Sequence, residues 1–266
     1  MKKLFRAACA GIALTAALTA TALAADYNTE CADHLKDMNL FRGTTQGYEL
    51  DRAPTRAEAA AMLVRLLGKE EEAKALTYTA PFTDLSGWEK PYVQYLYENG
   101  LTRGATATTF APGGRCTAQM YAAFLLRALG YTEADGDFAY ANAVAFAEQT
   151  GVYDAITIDT VDFLRDDAAA ASYAALAQTA KDSGGMLLTQ LVESGAVDAQ
   201  RAEPYQKLFR TYNRYLDAVK GMREVTALSV GQEMTLDAGS FKLKSSEQTA
   251  TDLTALRSLT ERTVTL

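Results

Sequence analysis

The sequence contains an internal repeat, and this feature limits the possible fold more than any other. The segment NLFRGT at 39–44 aligns with GLTRGA at 100–105. After a loop of similar length, PTRAEAAAMLVRLLG at 54–68 aligns with CTAQMYAAFLLRALG at 116–130, and FLRDDAAAASYAAL at 163–176 is a weaker third copy. The later segment of each copy has apolar residues at the i, i+3, i+4 and i+7 spacing of a helix that buries one face. A single helical hairpin cannot cover such a stripe, so the repeat predicts several copies stacked around a shared core.

The predicted fold class is mainly α. We expect a pseudo-threefold bundle of three helix-loop-helix repeats, followed by extra helices and a small C-terminal segment resembling a β-hairpin. The hairpin is predicted because EMTLDAGSFKLK at 233–244 alternates around an Asp-Ala-Gly-Ser turn. The predicted divisions are a signal peptide (1–25), repeat 1 (26–76), repeat 2 (77–134), repeat 3 with a closing helix (135–200), a helix (201–221) and a tail of unassigned role (222–266).

The first 25 residues have the pattern of a secretory signal peptide. Three cations precede an apolar stretch that ends at Leu23, and Ala-Leu-Ala at 22–24 fits a cleavage site. An uncleaved membrane anchor is the alternative. No later segment approaches the roughly 20 apolar residues of a membrane-spanning helix. The predicted product is therefore exported, with no membrane insertion after signal cleavage.

The charge of the chain argues against nucleic acid as a partner. Its formal net charge is −7, and removal of the three cations of the signal peptide makes it −10. Proteins that bind nucleic acid present a basic face. The same balance argues against general adsorption to anionic membranes.

The residues that could carry out chemistry do not form a recognisable catalytic or metal centre. The single histidine, His34, has no histidine or cysteine companion at ligand spacing, and it leaves no plausible Ser-His-Asp arrangement. Neighbouring carboxylates such as Asp166 and Asp167 are expected by chance among 33 acids, so a glycosidase pair is disfavoured. Cys31 and Cys116 are either two buried thiols or a disulfide pair. The sequence predicts no enzyme activity, no cofactor and no metal.

The stretch from Phe82 to Gly130 resembles the S-layer homology module. The resemblance rests on Phe-x-Asp at 82–84, on Trp88, on Phe-Ala-Pro at 110–112 and on a Leu-Arg-Ala-Leu-Gly end. Thr-Arg-Ala-Glu at 55–58 resembles the signature at the start of the second helix of that module. Three tandem copies also resemble the usual array of the family. The resemblance implies a non-catalytic anchor that binds a cell-wall-linked polysaccharide, often one carrying pyruvate ketals, and holds a secreted protein on the cell surface.

The signature in the first copy suggests an anion site. Thr55 and Glu58 can form a capping box, in which each side chain accepts a hydrogen bond from the backbone of the other residue. Arg56 is not needed for that cap, and we expect it to point outward beside unpaired backbone N–H groups. There its guanidinium could bind a carboxylate with two parallel hydrogen bonds. The alternative is a weak surface salt bridge to Glu58 or Asp51.

Other candidates follow from the repeat. Trp88 either stacks on a sugar face or fills the core, and Asp84 either accepts sugar hydroxyls or caps the following helix. Arg165 takes the place of Arg56 in the third copy. The second copy has Ala118 at that place, where Arg115 could substitute from the loop. The candidate ligand-binding residues are therefore Arg56, Glu58, Trp88, Asp84, Arg165 and Arg115.

The leading functional hypothesis is a wall-anchoring protein. Its expected partner is an acidic secondary cell-wall polysaccharide or a peptidoglycan-linked polymer. One alternative is an envelope structural or interaction protein whose repeats bind a protein partner. Another is the N-terminal anchor of an enzyme with an unrecognised site in the tail.

Overall fold

The computed structural model describes residues 28–154, 157–221, 233–236 and 241–244. The predicted signal peptide (1–25) and most of the predicted tail (222–266) lie outside the described residues. The helices are α1 (28–37), α2 (Arg56–Leu66), α3 (Glu70–Ala75), α4 (Lys90–Glu98), α5 (Ala118–Ala128), α6 (Ala143–Thr150), α7 (Arg165–Ala177), α8 (Leu187–Glu193) and α9 (Ala199–Gly221), with a short 3₁₀ helix at Tyr140–Asn142. The strands are β1 (Glu233–Leu236) and β2 (Phe241–Lys244). The prediction of a mainly α fold is confirmed.

The chain divides into two compact units, with the boundary after Ala202. In the first unit, the three helices that carry the aligned copies contact one another in pairs: α2 with α5, α2 with α7, and α5 with α7. Each also packs on a neighbour along the chain, α2 on α4, α5 on α6 and α7 on α8. The buried faces of α2, α5 and α7 are rich in alanine. Small side chains allow helix backbones to approach closely, so these three helices form the centre of the core.

The second unit contains most of α9 and the two strands. β1 pairs antiparallel with β2, with Met234 opposite Leu243 and Leu236 opposite Phe241. The four residues that connect the strands in the chain lie outside the described residues. Among the described residues, no helix combines the length and the apolar character needed to cross a bilayer.

Two glycines that align in the repeat occupy tight places in the loops. A Cβ atom on Gly43 would lie 2.7 Å from the carbonyl carbon of Gly47. Gly104 has a φ of +79°, and a Cβ atom there would lie 2.6 Å from Thr106 O and 2.7 Å from Thr109 O. Side chains are strained at positive φ and do not fit at such distances. The repeat therefore keeps glycine at this place because the backbone leaves no room for a side chain.

The two cysteines of the described residues are both buried and are not joined to each other. Cys31 lies on α1, and Cys116 lies two residues before α5. Burial raises the pKa of the Cys116 thiol to about 12, so this thiol stays protonated and unreactive. Of the two alternatives that the sequence leaves open, the structure shows two separate thiols.

Candidate ligand-binding site

The helix that carries the signature begins at a complete capping box. Thr55 Oγ1 accepts a hydrogen bond from Glu58 N at 3.2 Å, and Glu58 Oε2 accepts one from Thr55 N at 2.8 Å. The predicted box is confirmed. In the second copy, Thr117 Oγ1 accepts from Met120 N at 3.3 Å, but the thioether of Met120 offers no carboxylate in return. The start of α5 therefore has half of the cap that α2 has.

Thr55→Ala is expected to lower the free energy of unfolding by about 0.5–2 kcal/mol, because it leaves a first-turn N–H without its acceptor. Thr55→Ser keeps the hydroxyl and serves as the control. Urea unfolding of the three proteins measures the difference. Suppose that Thr55→Ala is as stable as Thr55→Ser but no longer binds cell walls. Thr55 would then be a contact residue rather than a cap.

Arg56 does not point outward as the sequence suggested. Only 7% of the residue is exposed. Its Nε donates to Phe110 O at 2.7 Å, and its guanidinium carbon lies 4.8 Å from the centre of the Phe110 ring. Nη1 lies 3.2 Å from Met120 Sδ. The expectation was wrong because a loop of the second copy covers the start of α2.

The backbone donors at this helix end are also occupied. Arg56 N donates to Gly114 O at 2.8 Å, and Ala57 N donates to Pro112 O at 3.0 Å. The sequence suggested that such N–H groups would be unpaired and would favour an anion. The same loop that covers Arg56 satisfies them, so anion binding at this place depends on the guanidinium rather than on the helix end.

The guanidinium of Arg56 has capacity left. No carboxylate of the described residues forms an ion pair with it within 4.0 Å, and the structure shows no partner for Nη2 among those residues. A buried cation without a counter-ion is costly. Arg56 is therefore a fixed positive charge that can accept an anionic group.

Asp84 holds the loop that covers Arg56. Its two carboxylate oxygens accept from Phe110 N at 2.8 Å and Ala111 N at 2.7 Å, and Ala111 has a φ of +57°. The expected cap on the following helix is wrong, because both oxygens face this tight turn. Burial opposes ionisation, but the two backbone hydrogen bonds lower the pKa of Asp84, and the charge of Arg56 lowers it further. Asp84 thus stays ionised near Arg56.

Glu89 makes the hydrogen bonds that Asp84 was expected to make before α4. Its Oε1 accepts from Ser86 N at 2.8 Å and from Gly87 N at 2.9 Å. Glu89 is the residue immediately before α4. The turn that leads into this helix is therefore fixed by a residue that the sequence did not single out.

Trp88 is 56% exposed, so the core alternative for this residue is wrong. Its ring lies edge-on to Tyr92 at 5.9 Å, and the Tyr92 hydroxyl lies 3.1 Å from Arg65 Nη2, near the end of α2. Arg56 begins the same helix, and nine residues of helix span about 13 Å. The structure therefore does not bring Trp88 and Arg56 into one site.

Arg165 occupies an arrangement equivalent to that of Arg56. Its Nε donates to Tyr48 O at 2.9 Å, and its backbone N donates to Arg52 O at 2.9 Å. Only 3% of the residue is exposed. Its Nη1 lies 3.6 Å from Glu58 Oε1. A loop of the first copy therefore covers the start of α7, as a loop of the second copy covers α2.

Glu58 is already paired within the protein. Its oxygens accept from Arg52 Nη2 at 2.6 Å and from Arg52 Nη1 at 2.9 Å, in addition to the cap and the contact with Arg165. Burial opposes ionisation, but the hydrogen bonds from Arg52 and the backbone of Thr55 lower the pKa of Glu58 to about 2. As a direct ligand contact, Glu58 would have to give up one of these partners.

The lowered pKa of Glu58 predicts acid sensitivity. A carboxyl whose folded pKa lies below its unfolded value stabilises the fold fully above the unfolded pKa and loses that contribution as pH falls through the folded pKa. We expect the melting temperature to fall between about pH 4.5 and pH 2. Glu58→Gln should melt lower at pH 7 and should lose part of this dependence. An identical pH profile for the variant and the parent would contradict the assignment.

Arg115 lies in the loop and is partly exposed, but it is not unpaired. Its Nη2 donates to Asp162 Oδ1 at 2.6 Å and to Phe163 O at 3.2 Å. It therefore ties the loop of the second copy to the third copy. Its backbone pairs with Thr55, and its side chain bonds to a residue just before α7, so Arg115 lies between the starts of α2 and α7.

Tyr140 is a candidate that the sequence reasoning missed. It is 43% exposed, and its backbone oxygen accepts a hydrogen bond from Gln119 Nε2, on the first turn of α5. Burial raises the pKa of its hydroxyl, and the positive charge of Arg56 opposes that shift. An exposed aromatic ring can serve as a platform for a sugar face. Tyr140 lies outside the segments that align between the copies, so the repeat gave no signal for it.

Comparison with known proteins gives a family for part of the chain. Residues 81–117 match the S-layer homology domain. A segment of 79 residues is 38% identical to an endoglucanase of a Bacillus species, which covers 30% of this chain and 8% of that protein. A segment of 119 residues is 30% identical to the middle cell wall protein of Brevibacillus brevis, which covers 43% of this chain and 11% of that protein.

The matched segments span about a tenth of the length of these two relatives. The family match includes Asp84, Phe110 and the loop that covers Arg56. Residues 81–117 of this chain are therefore similar to the S-layer homology domain.

Proposed function

We propose that this protein is a non-catalytic anchor that binds an acidic secondary polysaccharide, or a peptidoglycan-linked polymer, of the cell wall. The S-layer homology match and the similarity to a cell wall protein support this partner. The observation that carries the proposal is the Arg56 site, which we define as Arg56 and Phe110. It holds a buried arginine that forms no ion pair within 4.0 Å with a carboxylate of the described residues.

Three tandem copies in a pseudo-threefold bundle are part of this proposal. The pairwise contacts of α2, α5 and α7 support it. So do the matching backbone hydrogen bonds, from Arg56 N to Gly114 O and from Arg165 N to Arg52 O. In each case, a loop of one copy covers the central helix of another. Such an arrangement places ligand-binding residues between copies rather than within one.

Export and a place at the cell surface complete the proposal. The signal-peptide pattern of residues 1–25 supports export. An anchor of this kind needs no active site, and we propose that the protein has none. Wall fragments liberated by the purified protein, and no longer liberated after a single Asp or Glu substitution, would overturn this part of the proposal.

An anchor attached to an enzyme is the second candidate, and the match to an endoglucanase favours it. That match covers 8% of the relative. In this alternative, the helical repeats still bind the wall, and a further segment carries the activity. Both candidates therefore require wall binding. An envelope protein whose repeats bind a protein partner does not require wall binding.

Calorimetric titration with a soluble fragment of the wall polymer tests the proposal. The control ligand is the same fragment after chemical reduction of its carboxyl groups to hydroxymethyl groups. We expect saturable binding of the native fragment and at least tenfold weaker binding of the reduced one, because charge-assisted hydrogen bonds to a carboxylate are about twice as strong as neutral ones. Equal affinity for the two fragments would show that the carboxyl groups do not contribute to binding. No binding of either would overturn polymer recognition.

A further inference from the structure

We infer that residue 120 determines whether the arginine of a central helix is open to a carboxylate ligand. Met120 leaves the Arg56 site open, whereas Glu58, its counterpart, closes the site at Arg165. We define the Arg165 site as Arg165, Tyr48 and Glu58. This inference rests on the proposed function, since it names the binding-competent site for the same acidic partner.

The two sites share one backbone geometry. Arg56 Nε donates to Phe110 O at 2.7 Å, and Arg165 Nε donates to Tyr48 O at 2.9 Å. Phe110 and Tyr48 each lie seven residues before the N-cap threonine of the next central helix. Both guanidinium groups are therefore held at their inner nitrogen by a loop of another copy, with the outer nitrogens directed elsewhere.

The sites differ in the residue that meets the outer nitrogens. At the Arg165 site it is Glu58, whose Oε1 lies 3.6 Å from Arg165 Nη1. At the Arg56 site it is Met120, whose Sδ lies 3.2 Å from Arg56 Nη1. Glu58 and Met120 occupy the same position, three residues after the N-cap threonine of their helices. A thioether is a weak, uncharged acceptor, so it does not neutralise the arginine.

The surrounding charges follow the same division. Arg165 lies in a network with Glu58, Arg52 and Glu49, in which two cations meet two carboxylates. Near Arg56 the nearby carboxylate is that of Asp84, and its oxygens accept from Phe110 N and Ala111 N instead. Glu58 therefore lies within ion-pair distance of Arg165, whereas no carboxylate of the described residues lies within that distance of Arg56.

The outer nitrogens of Arg56 fit a carboxylate of the acidic polymer in the proposed function. Nη2 has no partner among the described residues, and Nη1 is held by the weak sulfur acceptor alone. Together these nitrogens can donate two parallel hydrogen bonds to one carboxylate.

The Met120→Glu variant should lose ligand binding without losing stability. It places at the start of α5 the carboxylate that Glu58 supplies at the start of α2, where it completes a capping box. Met120 is half-buried, so a charged end can still reach water. We therefore expect the variant to unfold at the same temperature as the parent or at a higher one. Its new carboxylate should form an ion pair with Arg56 and so block the ligand. Met120→Leu is the matched control, because it keeps an apolar side chain of similar size.

The test is an NMR titration of the side-chain Nε–H signals of Arg56 and Arg165, with sodium pyruvate as the probe and sodium chloride at equal ionic strength as the reference. Arg56→Lys and Arg165→Lys assign the two signals. We expect a saturable pyruvate shift at Arg56 but not at Arg165, retained in Met120→Leu and weakened at least tenfold in Met120→Glu. A folded Met120→Glu variant that responds like the parent, an equal response at Arg165, or no response at Arg56 in the parent would overturn the inference.

Wall-polymer binding by the same proteins distinguishes this inference from the proposed function. A parent protein that responds to pyruvate at Arg56 but does not bind the polymer supports the open site and overturns wall anchoring. A parent that binds the polymer, together with a Met120→Glu variant that binds it equally well, supports anchoring and overturns the role of residue 120.

Discussion

Arg56→Ala is expected to weaken the binding of the soluble wall polymer by about tenfold to a hundredfold, because hydrogen bonds to charged groups are worth about 1.5–3 kcal/mol. The effect should be large because Arg56 is the buried cation without a carboxylate partner among the described residues. Calorimetric titration of each variant with the native polymer fragment measures the change. The thermal unfolding of each variant must be measured as well, because the side chain also packs on Phe110.

Two further substitutions serve as comparisons. Arg165→Ala should weaken binding less, because Glu58 already neutralises Arg165, and Arg115→Ala should weaken it least, because Arg115 is paired with Asp162. Arg56→Met keeps an unbranched apolar side chain in the buried place and removes the charge together with the hydrogen bond to Phe110 O. If Arg56→Met binds the polymer like the parent, the Arg56 site is not the contact. If Arg115→Ala has the dominant effect, the contact lies in the loop of the second copy.

Gly104→Ala is expected to lower the free energy of unfolding by about 2–4 kcal/mol, since a side chain at positive φ costs 1–2 kcal/mol and overpacking adds a similar amount. The added Cβ would lie 2.6 Å from Thr106 O and 2.7 Å from Thr109 O, which are backbone atoms that cannot move aside without changing the loop. This loop continues into Phe110, which accepts the hydrogen bond from Arg56 Nε. We therefore expect weaker polymer binding in this variant as well.

Gly100→Ala is the matched control for this prediction. Gly100 also has a positive φ, +68°, but a Cβ atom there meets nothing within 4 Å. Its replacement should cost only the backbone strain, about 1–2 kcal/mol. Urea unfolding of both variants separates the two contributions. Equal losses of stability would show that the close approach of the Thr106 and Thr109 carbonyls has no energetic weight.

The helices could be predicted from the sequence because their signals are local. The start of α2 follows from Thr55 and Glu58, which are three residues apart and bond to each other. The apolar spacing of the aligned segments places α2, α5 and α7 within one or two residues of their observed bounds. Local hydrogen bonds and helical periodicity need no knowledge of the remaining chain.

The site could be predicted only in part, because its geometry depends on distant segments. Arg56 was identified from the signature, but its direction is set by Phe110 O, 54 residues away. Asp84 bonds to a turn 26 residues away, although a short-range cap was the simpler expectation. Such contacts between copies leave no mark in the spacing of residues within one copy.

The most direct test of wall anchoring is sedimentation with purified, protein-free cell walls, before and after the secondary polymer has been stripped from them. The amount of protein in the pellet is measured for the parent and for Arg56→Met at equal concentration. We expect the parent to pellet with intact walls and to stay in solution with stripped walls, and Arg56→Met to stay largely in solution with both. Equal pelleting of the parent with intact and stripped walls, or its absence from both pellets, would contradict polymer-based anchoring.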